Sequence, residues 1–409
     1  MAIDLQRDDE TCGRQSSAAR GSASMPPMTV AIVDPLGKHG GFHYYVEALA
    51  NALAAQGTRV LVYVTELTGV SGQEKYEPVV SFAHLYGPES TLVRGWRFAQ
   101  GLVKAMFSAR LNRALVVSLH IFNFDARDAA SVWLARLLGM KTMLTIHDVE
   151  RYGKKGHRLS RCLTLAGASG YILHSQFCLD ALLSVEGKIN KPVAIIPHGH
   201  YGKSFAHIPT RAEARSFLRL PEEPCTFLFF GNSRLEKGLD LLIKACGRLR
   251  GRDDWRLIIA GKMKPDQQAY YAGLVQAHDP NGFIGMDARF VPDEEAVAYY
   301  RAADLVVIPY RICYESGVTI MAMTLGVAVL VSDLPPLVET IAKGQAGLTF
   351  ASDNVDSLAA ALEHAIEQRP QLDMIGAIGQ KHVESERDWE KIGAATQQFL
   401  QQIVAGVRG

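Results

Sequence analysis

Two cations stand where they could hold a diphosphate. The phrase FFGNSRLEKGLDLL at residues 229–242 places Arg234 and Lys237 after an apolar strand pattern and just before a helical one. Basic side chains at the start of a helix oppose the helix dipole, so this position favours an anionic ligand over a merely solvated pair. Arginine and lysine there could bind a diphosphate and neutralise the charge that grows on a leaving nucleoside diphosphate.

A second loop-to-helix junction of this kind lies downstream at Ser316, Gly317 and Val318. Backbone amides at a helix start bind phosphate oxygens, and small residues let a ligand approach them. Glu315 stands beside this junction. A carboxylate there is more often a helix cap, but it could also accept hydrogen bonds from ribose or sugar hydroxyls.

A glycine-rich loop, DPLGKHGGFHYY at residues 34–45, follows the first strand pattern. Gly40 and Gly41 would let its backbone amides approach a ligand. The spacing differs from the G-x-G-x-x-G of dinucleotide sites, and Glu66 only loosely matches the acidic residue expected after the second strand. A turn that merely packs a helix on the sheet explains the loop equally well.

The elements that must position these loops are alternating strands and helices. From Met28 onward, short β-branched runs alternate with helical patterns in two successive sets, which is typical of parallel sheets. Residues 201–221 resemble a linker between the sets. Strands are predicted at 28–34, 59–66, 114–120, 141–148, 170–175, 192–199, 225–231, 256–262, 288–292, 304–310 and 328–333, and helices include 40–57, 92–113 and 238–250. The predicted fold class is α/β, with two Rossmann-like doubly wound domains that face each other across a cleft.

The length of 409 residues exceeds what one compact core usually holds. We expect a disordered leader at 1–27, an N-terminal domain at 28–203 and a C-terminal domain at 204–385. The last segment, 386–409, is predicted to be a helix that could cross back to the N-terminal domain.

The charge composition bears on which kinds of partner the protein could bind. The chain has 43 basic and 42 acidic side chains, so its net charge of +1 gives no support to nucleic-acid binding. Residues 28–203 hold 19 basic and 12 acidic side chains, whereas residues 204–409 hold 21 and 26. This asymmetry suggests that the two halves meet different partners, the basic half an anionic surface.

The six cysteines are scattered without a C-x-x-C pair, and no histidine lies at metal-ligand spacing from them. Neither a disulfide framework nor a zinc site is therefore expected. No apolar run approaches the roughly 20 residues that span a bilayer, and the polar N-terminus lacks an apolar signal core. These features predict a cytoplasmic protein.

With these motifs in order, the chain resembles family 4 glycosyltransferases, which are retaining, metal-independent nucleotide-sugar enzymes of the two-domain GT-B fold. The resemblance extends over nearly all of residues 28–405 and rests on nine phrases. They are GGFHYYVEALANALAAQG, TIHD, ILHSQFCLDAL, IPHGHY, FFGNSRLEKGLDLLIKA, LIIAG, RFVPDEEAVAYYRAADLVVIPYR, SGVTIMAM with GVAVLVSD, and W…IGAATQQFL.

The resemblance implies that the C-terminal domain binds a nucleoside diphosphate-sugar while the N-terminal domain holds the acceptor. The implied donor-site residues are Arg234, Lys237, Ser316, Gly317 and Val318 at the diphosphate, Phe290, Val291 and Pro292 near the base, and Gly40 and Gly41 on the opposite side.

Family members often carry a histidine after the fourth strand, near the reactive carbon of the sugar. His120 in SLHIFNFD and His147 in TIHD are the candidates, although a histidine at a strand end is usually structural. His198 in IPHGHY is expected to fix its loop. In this family a donor phosphate oxygen is thought to act as the base, so no pair of catalytic carboxylates is required.

The sequence departs from the family at an E-x7-E pair, because Cys313 and Met321 occupy the positions of the two glutamates. Neither side chain accepts a strong hydrogen bond from a ribose hydroxyl, and Glu315 is a candidate substitute. Asn232 stands where many members have arginine, which leaves that role to Arg234.

A basic amphipathic pattern at 92–113 predicts a helix that could lie on an anionic membrane surface. A core-facing helix with a solvated basic face is the commoner explanation of such a pattern. The cluster RYGKKGHRLSR at 151–161 adds basic charge to the same half. The hypothesis is a peripheral enzyme at the inner face of the cell membrane.

The sequence thus predicts a hexosyltransferase that uses a nucleoside diphosphate-sugar and a sugar or lipid-linked acceptor in surface polysaccharide or glycolipid biosynthesis. The alternative is a non-catalytic nucleotide- or sugar-binding protein of the same fold, which Cys313 and Met321 would permit. An NAD-dependent oxidoreductase is disfavoured by the spacing of the glycine-rich loop.

Overall fold

The computed structural model describes residues 27–37, 41–66, 74–86, 89–150, 158–202, 204–205, 207–249, 251–279 and 281–406. The leader predicted at 1–27 lies, except for its last residue, outside these ranges. The strands of the first sheet are β1 Thr29–Val33, β2 Arg59–Val64, β3 Glu77–Val80, β4 Val116–Ile121, β5 Lys141–Ile146, β6 Gly170–Leu173 and β7 Val193–Ile195. The helices of this half are α1 Phe42–Ala55, α2 Thr91–Leu111, α3 Ala126–Leu137, α4 Arg158–Gly167 and α5 Gln176–Glu186.

The second half repeats this alternation. Its strands are β8 Cys225–Phe230, β9 Trp255–Ala260, β10 Ile284–Asp287, β11 Leu305–Ile308, β12 Ala328–Ser332 and β13 Leu348–Phe350. Its helices are α6 Arg211–Leu218, α7 Leu239–Cys246, α8 Pro265–His278, α9 Asp293–Ala302, α10 Gly317–Thr324, α11 Pro335–Thr340, α12 Val355–Glu367, α13 Arg369–Glu386 and α14 Trp389–Ala405, with 3-10 turns at Leu235–Lys237 and Ala342–Gly344.

Both sheets are parallel and doubly wound. Within the described residues the strand order is β3-β2-β1-β4-β5-β6-β7 in the first sheet and β10-β9-β8-β11-β12-β13 in the second. The strand order reverses between β1 and β4 and between β8 and β11. Ligands of such sheets bind beyond the carboxyl ends of the strands at this point. The predicted α/β fold class is confirmed.

Continuous apolar runs explain the central strands. Every residue of β1 is buried, and so is every residue of β12. Parallel sheets are covered by helices on both faces, and they therefore select β-branched runs rather than an alternating pattern.

Two details of the sequence prediction are wrong. The strand expected at 288–292 lies earlier, since β10 pairs with β9 from Ile284 to Asp287 and places the Ile284 side chain in the core. Residues 201–221 are not a linker throughout. Thr210 and Glu213 form a capping box that starts α6, and this helix packs against α9.

The last helix, α14, packs against α1 beside the first sheet. Gly393 permits the close approach, because a Cβ there would lie 2.8 Å from the Cβ of Ala52. Phe399 and Leu400 of α14 join the core beneath β1. The chain end therefore returns to the N-terminal half, while the domain boundaries at 203/204 and 385/386 stay predictions.

Candidate functional site

The loop after β8 and the start of α10 lie side by side at the edge of the second sheet. A Cβ added to Gly231 would lie 3.9 Å from Cγ2 of Val318. The Nζ atom of Lys237 lies 3.6 Å from the centroid of the Tyr310 ring, in the segment that follows β11. The structure thus brings together the two loops that the sequence predicts as diphosphate ligands.

Gly238 fixes the end of the first of these loops. Its φ of +66° lies in the left-handed region, and a Cβ there would meet the carbonyl oxygen of Pro309 at 1.8 Å. Only glycine meets both requirements. The backbone of the loop that carries Lys237 therefore approaches the segment leading to α10 closely at Gly238.

Arg311 braces the same loop from the far side. Its Nη1 and Nη2 atoms each donate to the Asp240 carboxylate at 2.8 Å, and its Nε donates to Asp353 at 2.8 Å. Although burial alone would raise the pKa of Asp240, the hydrogen bonds from Arg311 hold that pKa below its usual value. The charge of Arg311 is thereby compensated within the protein, whereas the side chain of Arg234 is exposed.

The start of α10 is organised by Ser316. Its Oγ accepts hydrogen bonds from the backbone N of Thr319 at 3.2 Å and from Thr319 Oγ1 at 2.8 Å. Gly317 begins the helix below Tyr201, whose hydroxyl would lie 2.9 Å from a Cβ at that position. The amides of Gly317 and Val318 belong to the first helical turn, where N–H groups have no partner within the helix.

Glu315 is held at the joint between the two halves. Its Oε2 lies 3.6 Å from Nη1 of Arg387, and its Oε1 accepts from the backbone N of Ser316 at 3.2 Å. Burial alone would raise the pKa of Glu315, but the Arg387 charge and two histidines hold it below the usual value. Arg387 also donates to the carbonyl of His198 at 3.0 Å. This position gives Glu315 a structural partner, and its contact with a ribose stays a prediction.

The residues predicted near the base form the loop between β10 and α9. Phe290 is 57% exposed, Val291 is buried, and Pro292 precedes the first turn of α9. Across the cleft, Nε2 of His43 lies 3.7 Å from Oδ2 of Asp293. The start of α1 therefore faces the start of α9 and the loop before it.

Gly41 lies at the N-terminus of α1 with φ of +76°, and a Cβ there would meet no atom within 4 Å. Gly40, its predicted neighbour in the site, lies outside the described residues.

Four histidines line the carboxyl edge of the first sheet. They come from neighbouring strands, at the end of β4, directly after β5 and β6, and in the loop after β7, and they are His120, His147, His174 and His198. His120 Nδ1 lies 3.2 Å from His147 Nε2, and His147 Nδ1 lies 3.0 Å from His174 Nε2. The two histidines predicted from the sequence are thus in direct contact.

Burial keeps these rings neutral. It lowers the pKa of His120 to about 3 and that of His198 to about 4, and it lowers those of His147 and His174 below 6.5. At neutral pH the cluster presents uncharged imidazoles, which suit hydroxyl groups rather than phosphates.

A cavity of about 120 Å³ opens beside His120. Phe42, Phe98 and Phe122 form apolar walls, and Asn123 and Asp128 provide polar groups. Burial, with the nearby charge of Asp125, raises the pKa of Asp128 to about 6. Such a lining suits a ligand with both apolar and hydroxyl-bearing parts.

His174 and Phe42 stand outside the site set predicted from the sequence. The Phe42 ring centroid lies 4.9 Å from that of His120 and 5.2 Å from that of His147. A usable signal was present, because His120, His147 and His174 recur at a separation of 27 residues at the ends of adjacent strands. Neighbouring parallel strands bring such residues to one height.

Cys313 and Met321, which replace the E-x7-E glutamates, contribute to the core around α10. Cys313 is buried, and burial raises the pKa of its thiol. In the described ranges, no group of three or more His, Cys, Asp or Glu side chains is placed to bind a metal ion.

Two doubly wound parallel sheets whose strand-end loops meet, one with cations beside a helix start, define the GT-B class of nucleotide-dependent transferases. Residues 39–200 match the family described as Glycosyltransferase Family 4, and residues 210–382 match the one described as Glycosyl transferases group 1. The chain belongs to glycosyltransferase family 4.

Curated relatives cover much of the chain. A lipopolysaccharide core biosynthesis mannosyltransferase, LpsB of Rhizobium meliloti, is 28% identical over 68% of this chain and 80% of its own length. A D-inositol 3-phosphate glycosyltransferase of Paenarthrobacter aurescens is 25% identical over 91% and 95%.

Solved structures share the fold. Sucrose-phosphate synthase of Thermosynechococcus elongatus superposes with a TM-score of 0.73 at 21% identity, covering 93% of this chain and 100% of that one. Anabaena HepE, in complex with UDP and glucose, gives 0.73 at 18% identity, covering 92% and 100%. The expected GT-B architecture is confirmed.

Proposed function

We propose that this glycosyltransferase moves a hexose, with retention at the anomeric carbon and without a metal ion, from a nucleoside diphosphate-sugar to a sugar or lipid-linked acceptor. The process it serves is surface polysaccharide or glycolipid assembly. The names of the relatives, a lipopolysaccharide core mannosyltransferase among them, support this choice of product.

One observation carries the proposal. The loop with Arg234 and Lys237 lies against the start of α10 at the point where the strand order reverses. Two cations and the first-turn amides of Gly317 and Val318 can there neutralise the charge that develops on the leaving diphosphate. Because this charge is met by fixed protein groups, the site does not require a divalent ion.

The first sheet supplies the opposite side of the cleft. Neutral His120 and the adjoining cavity offer hydrogen-bonding and apolar contacts to a sugar and its acceptor. A donor phosphate oxygen, as the family resemblance implies, takes the proton of the acceptor hydroxyl. The protein then needs only to hold the two reactants close together with water excluded.

Thermal unfolding of the full chain with UDP, GDP, ADP, CMP or NAD at about 1 mM tests the donor site. A ligand at a hundred times its Kd stabilises the folded state by about 2.7 kcal/mol, so one nucleoside diphosphate should raise Tm clearly. Transfer from its sugar conjugates should persist in EDTA and give a product with the donor's anomeric configuration by NMR. A Tm shift with NAD alone, or an inverted product, would contradict the proposal.

Helix α2 supports a second part of the proposal, peripheral binding to an anionic membrane. Its outer face carries large apolar side chains, with Leu92 86%, Trp96 66%, Phe107 51% and Leu111 81% exposed. Exposed cations beside this face are Lys104, Arg110 and Arg113. No helix in the described ranges has both the length and the apolar character to cross a membrane. Most of the basic cluster at 151–161 lies outside the described residues.

Co-sedimentation with vesicles containing phosphatidylglycerol tests this surface. Since apolar burial and cationic charge act together at an anionic interface, the full chain should pellet at low salt. Replacing both Trp96 and Phe107 by serine should weaken binding by about one to two orders of magnitude, because complete burial of each such side chain contributes about 1.5–3 kcal/mol and each is already partly buried in the free protein. Phe217→Ser is the matched control, because Phe217 is 61% exposed on α6 in the other half. Equal binding by all three proteins would reject the surface.

A further inference from the structure

Three histidines of the first sheet form one continuous hydrogen-bonded chain. It begins at the backbone carbonyl of Ile196, which lies 3.0 Å from Nδ1 of His174. His174 Nε2 lies 3.0 Å from His147 Nδ1, and His147 Nε2 lies 3.2 Å from His120 Nδ1. Each ring uses both nitrogens except the last, because Nε2 of His120 has no partner among the described residues.

The carbonyl at one end sets the direction of every bond in this chain. A carbonyl oxygen can only accept, so His174 must donate from Nδ1. In a neutral ring the other nitrogen is then an acceptor, and His174 Nε2 receives the Nδ1 proton of His147. The same step repeats, and His147 Nε2 receives the Nδ1 proton of His120. His120 Nε2 is left as a bare lone pair.

We propose that His174 and His147 are positioning residues that hold His120 in its Nδ1–H form, so that His120 Nε2 accepts a hydrogen bond from a hydroxyl group of the bound sugar. This inference rests on the proposed function, since it names the atom of the enzyme that contacts the sugar and the sugar group, a hydroxyl, that this atom binds. A hydroxyl can donate to the lone pair, whereas a carboxylate or phosphate at the same place can only repel it.

The cover over His120 Nε2 is consistent with a ligand-dependent contact. The atom is buried, and the Phe42 ring packs edge-on against the His120 ring at a centroid distance of 4.9 Å. A buried acceptor without a partner is unfavourable, and a donating hydroxyl would remove that cost. Phe42 is the first residue of α1, directly after Gly41. Phe42 and His120 line the same cavity, and the Tyr45 ring also packs edge-on against His120 at a centroid distance of 5.5 Å.

The groups around the chain keep it neutral. Glu315 and Arg387 lie near its His174 end, and their opposite charges partly cancel there. His198, the fourth histidine, donates from Nδ1 to the carbonyl of its own neighbour Gly199 at 2.8 Å and is not part of the chain. Because no charged side chain of the described residues contacts His120, its tautomer is set by His147.

Imidazole ¹⁵N NMR of the full chain, labelled at histidine, reads this arrangement directly. We expect the Nδ1–H form for His120, His147 and His174 at pH 7, with each ring neutral. Detection of His120 as the Nε2–H form or as imidazolium would overturn the proposal. This result does not depend on transfer, so the proposed function can fail while the tautomer is still decided.

His147→Phe tests the positioning role. The substitution preserves the ring that stacks on Phe122 at 4.6 Å and removes both hydrogen bonds. We expect His120 to lose its fixed tautomer and transfer to fall about 10- to 100-fold, as when other orienting partners are removed. Ser118→Ala is the matched control, since Ser118 lies two residues before His120 on β4, is buried, and has an Oγ without a partner in the part of the chain that the structure describes. Unchanged ¹⁵N signals in His147→Phe would overturn the proposal.

Ligand additions distinguish the source of the hydroxyl. GDP-mannose and UDP-glucose are the donor probes, and methyl α-mannoside or α-glucoside with the matching nucleoside diphosphate are the acceptor probes. A shift of His120 Nε2 with the nucleotide-sugar but not with the free nucleotide assigns the hydroxyl to the donor. A shift only with the glycoside assigns it to the acceptor. No shift with any probe, in a protein whose Tm rises with the nucleotide, would overturn the proposed contact.

Discussion

The two sheets share a parallel, doubly wound topology, but their carboxyl edges carry different kinds of side chain. The first carries neutral, buried histidines that bond to each other, and the second carries Lys237 and Arg234 beside the start of α10. Residues 28–203 are nevertheless the basic half of the chain and residues 204–409 the acidic half. The cations that matter for a phosphate are therefore few, and the net charge of a half does not identify them.

The two edges also differ in how their polar groups are held. In the second sheet, Arg311 and Asp240 form an ion pair that braces the loop carrying Arg234 and Lys237. In the first sheet the groups are held by a chain of neutral hydrogen bonds that ends on a carbonyl. The arrangement at the second sheet suits an anion, whereas the arrangement at the first sheet suits a hydroxyl group.

The largest effect is expected at the joint between the two edges. Arg387→Met leaves the buried carboxylate of Glu315 without its cation, and loss of one partner of a buried pair costs about 3–5 kcal/mol. Urea unfolding should show this loss of stability. The double variant with Glu315→Gln should recover part of it. A stable Arg387→Met protein with weakened nucleotide binding would instead identify Glu315 as a donor ligand.

The phosphate edge should respond in rate rather than stability. Lys237→Ala removes a cation from the developing charge of the leaving group, and we expect kcat to fall about 100- to 1000-fold. Arg248→Ala is the control, because Arg248 is exposed on the same half and pairs with Asp356 at 3.6 Å. Steady-state transfer assays measure both. Equal rates in both variants would remove Lys237 from the site.

Much of the fold and part of the candidate site can be predicted from the sequence. The repeated strand and helix patterns predict both sheets except for the edge strands β3 and β13. Glycine and basic residues predict a phosphate site at the carboxyl edge of the second sheet. The pattern ARFVP misplaces β10, which pairs with β9 over Ile284–Asp287 instead. The local sequence does not indicate a role for His174, because that role depends on contacts with His147 and Ile196 at the ends of neighbouring strands. Glu315 contacts Arg387 across 72 positions of chain, which no local pattern could indicate.

The histidine edge should make the fold sensitive to acid. The folded-state pKa of His198, about 4, lies below the 6.5 of an unfolded histidine, so protonation favours unfolding. The stabilisation is fully present above pH 6.5 and is lost as the pH falls towards 4. Each pH unit below 6.5 should remove about 1.4 kcal/mol for this histidine. Urea unfolding between pH 7 and 5 measures the slope, and a flat profile would mean that the rings are accessible to protons.

The smallest effect is expected at Met321, where family members commonly have glutamate. Its side chain packs in the core around α10, and Met321→Leu conserves volume and apolar character. Such substitutions usually cost less than about 1.5 kcal/mol. The Kd of the nucleoside diphosphate should stay within about threefold of the unmodified protein by calorimetry. A larger loss would place Met321 in contact with the ligand and make the two edges less distinct.

The division of labour between the edges is tested most directly by calorimetric binding of a nucleoside diphosphate and its sugar conjugate to the same variants. GDP with GDP-mannose, or UDP with UDP-glucose, is the pair, chosen by whichever nucleotide raises Tm. Lys237→Ala should weaken binding of both ligands equally. If the ¹⁵N shifts assign the hydroxyl to the donor, His120→Phe should weaken binding of the sugar conjugate alone. If His120→Phe weakened the free nucleotide as much as its conjugate, the separation of a phosphate edge from a sugar edge would be contradicted.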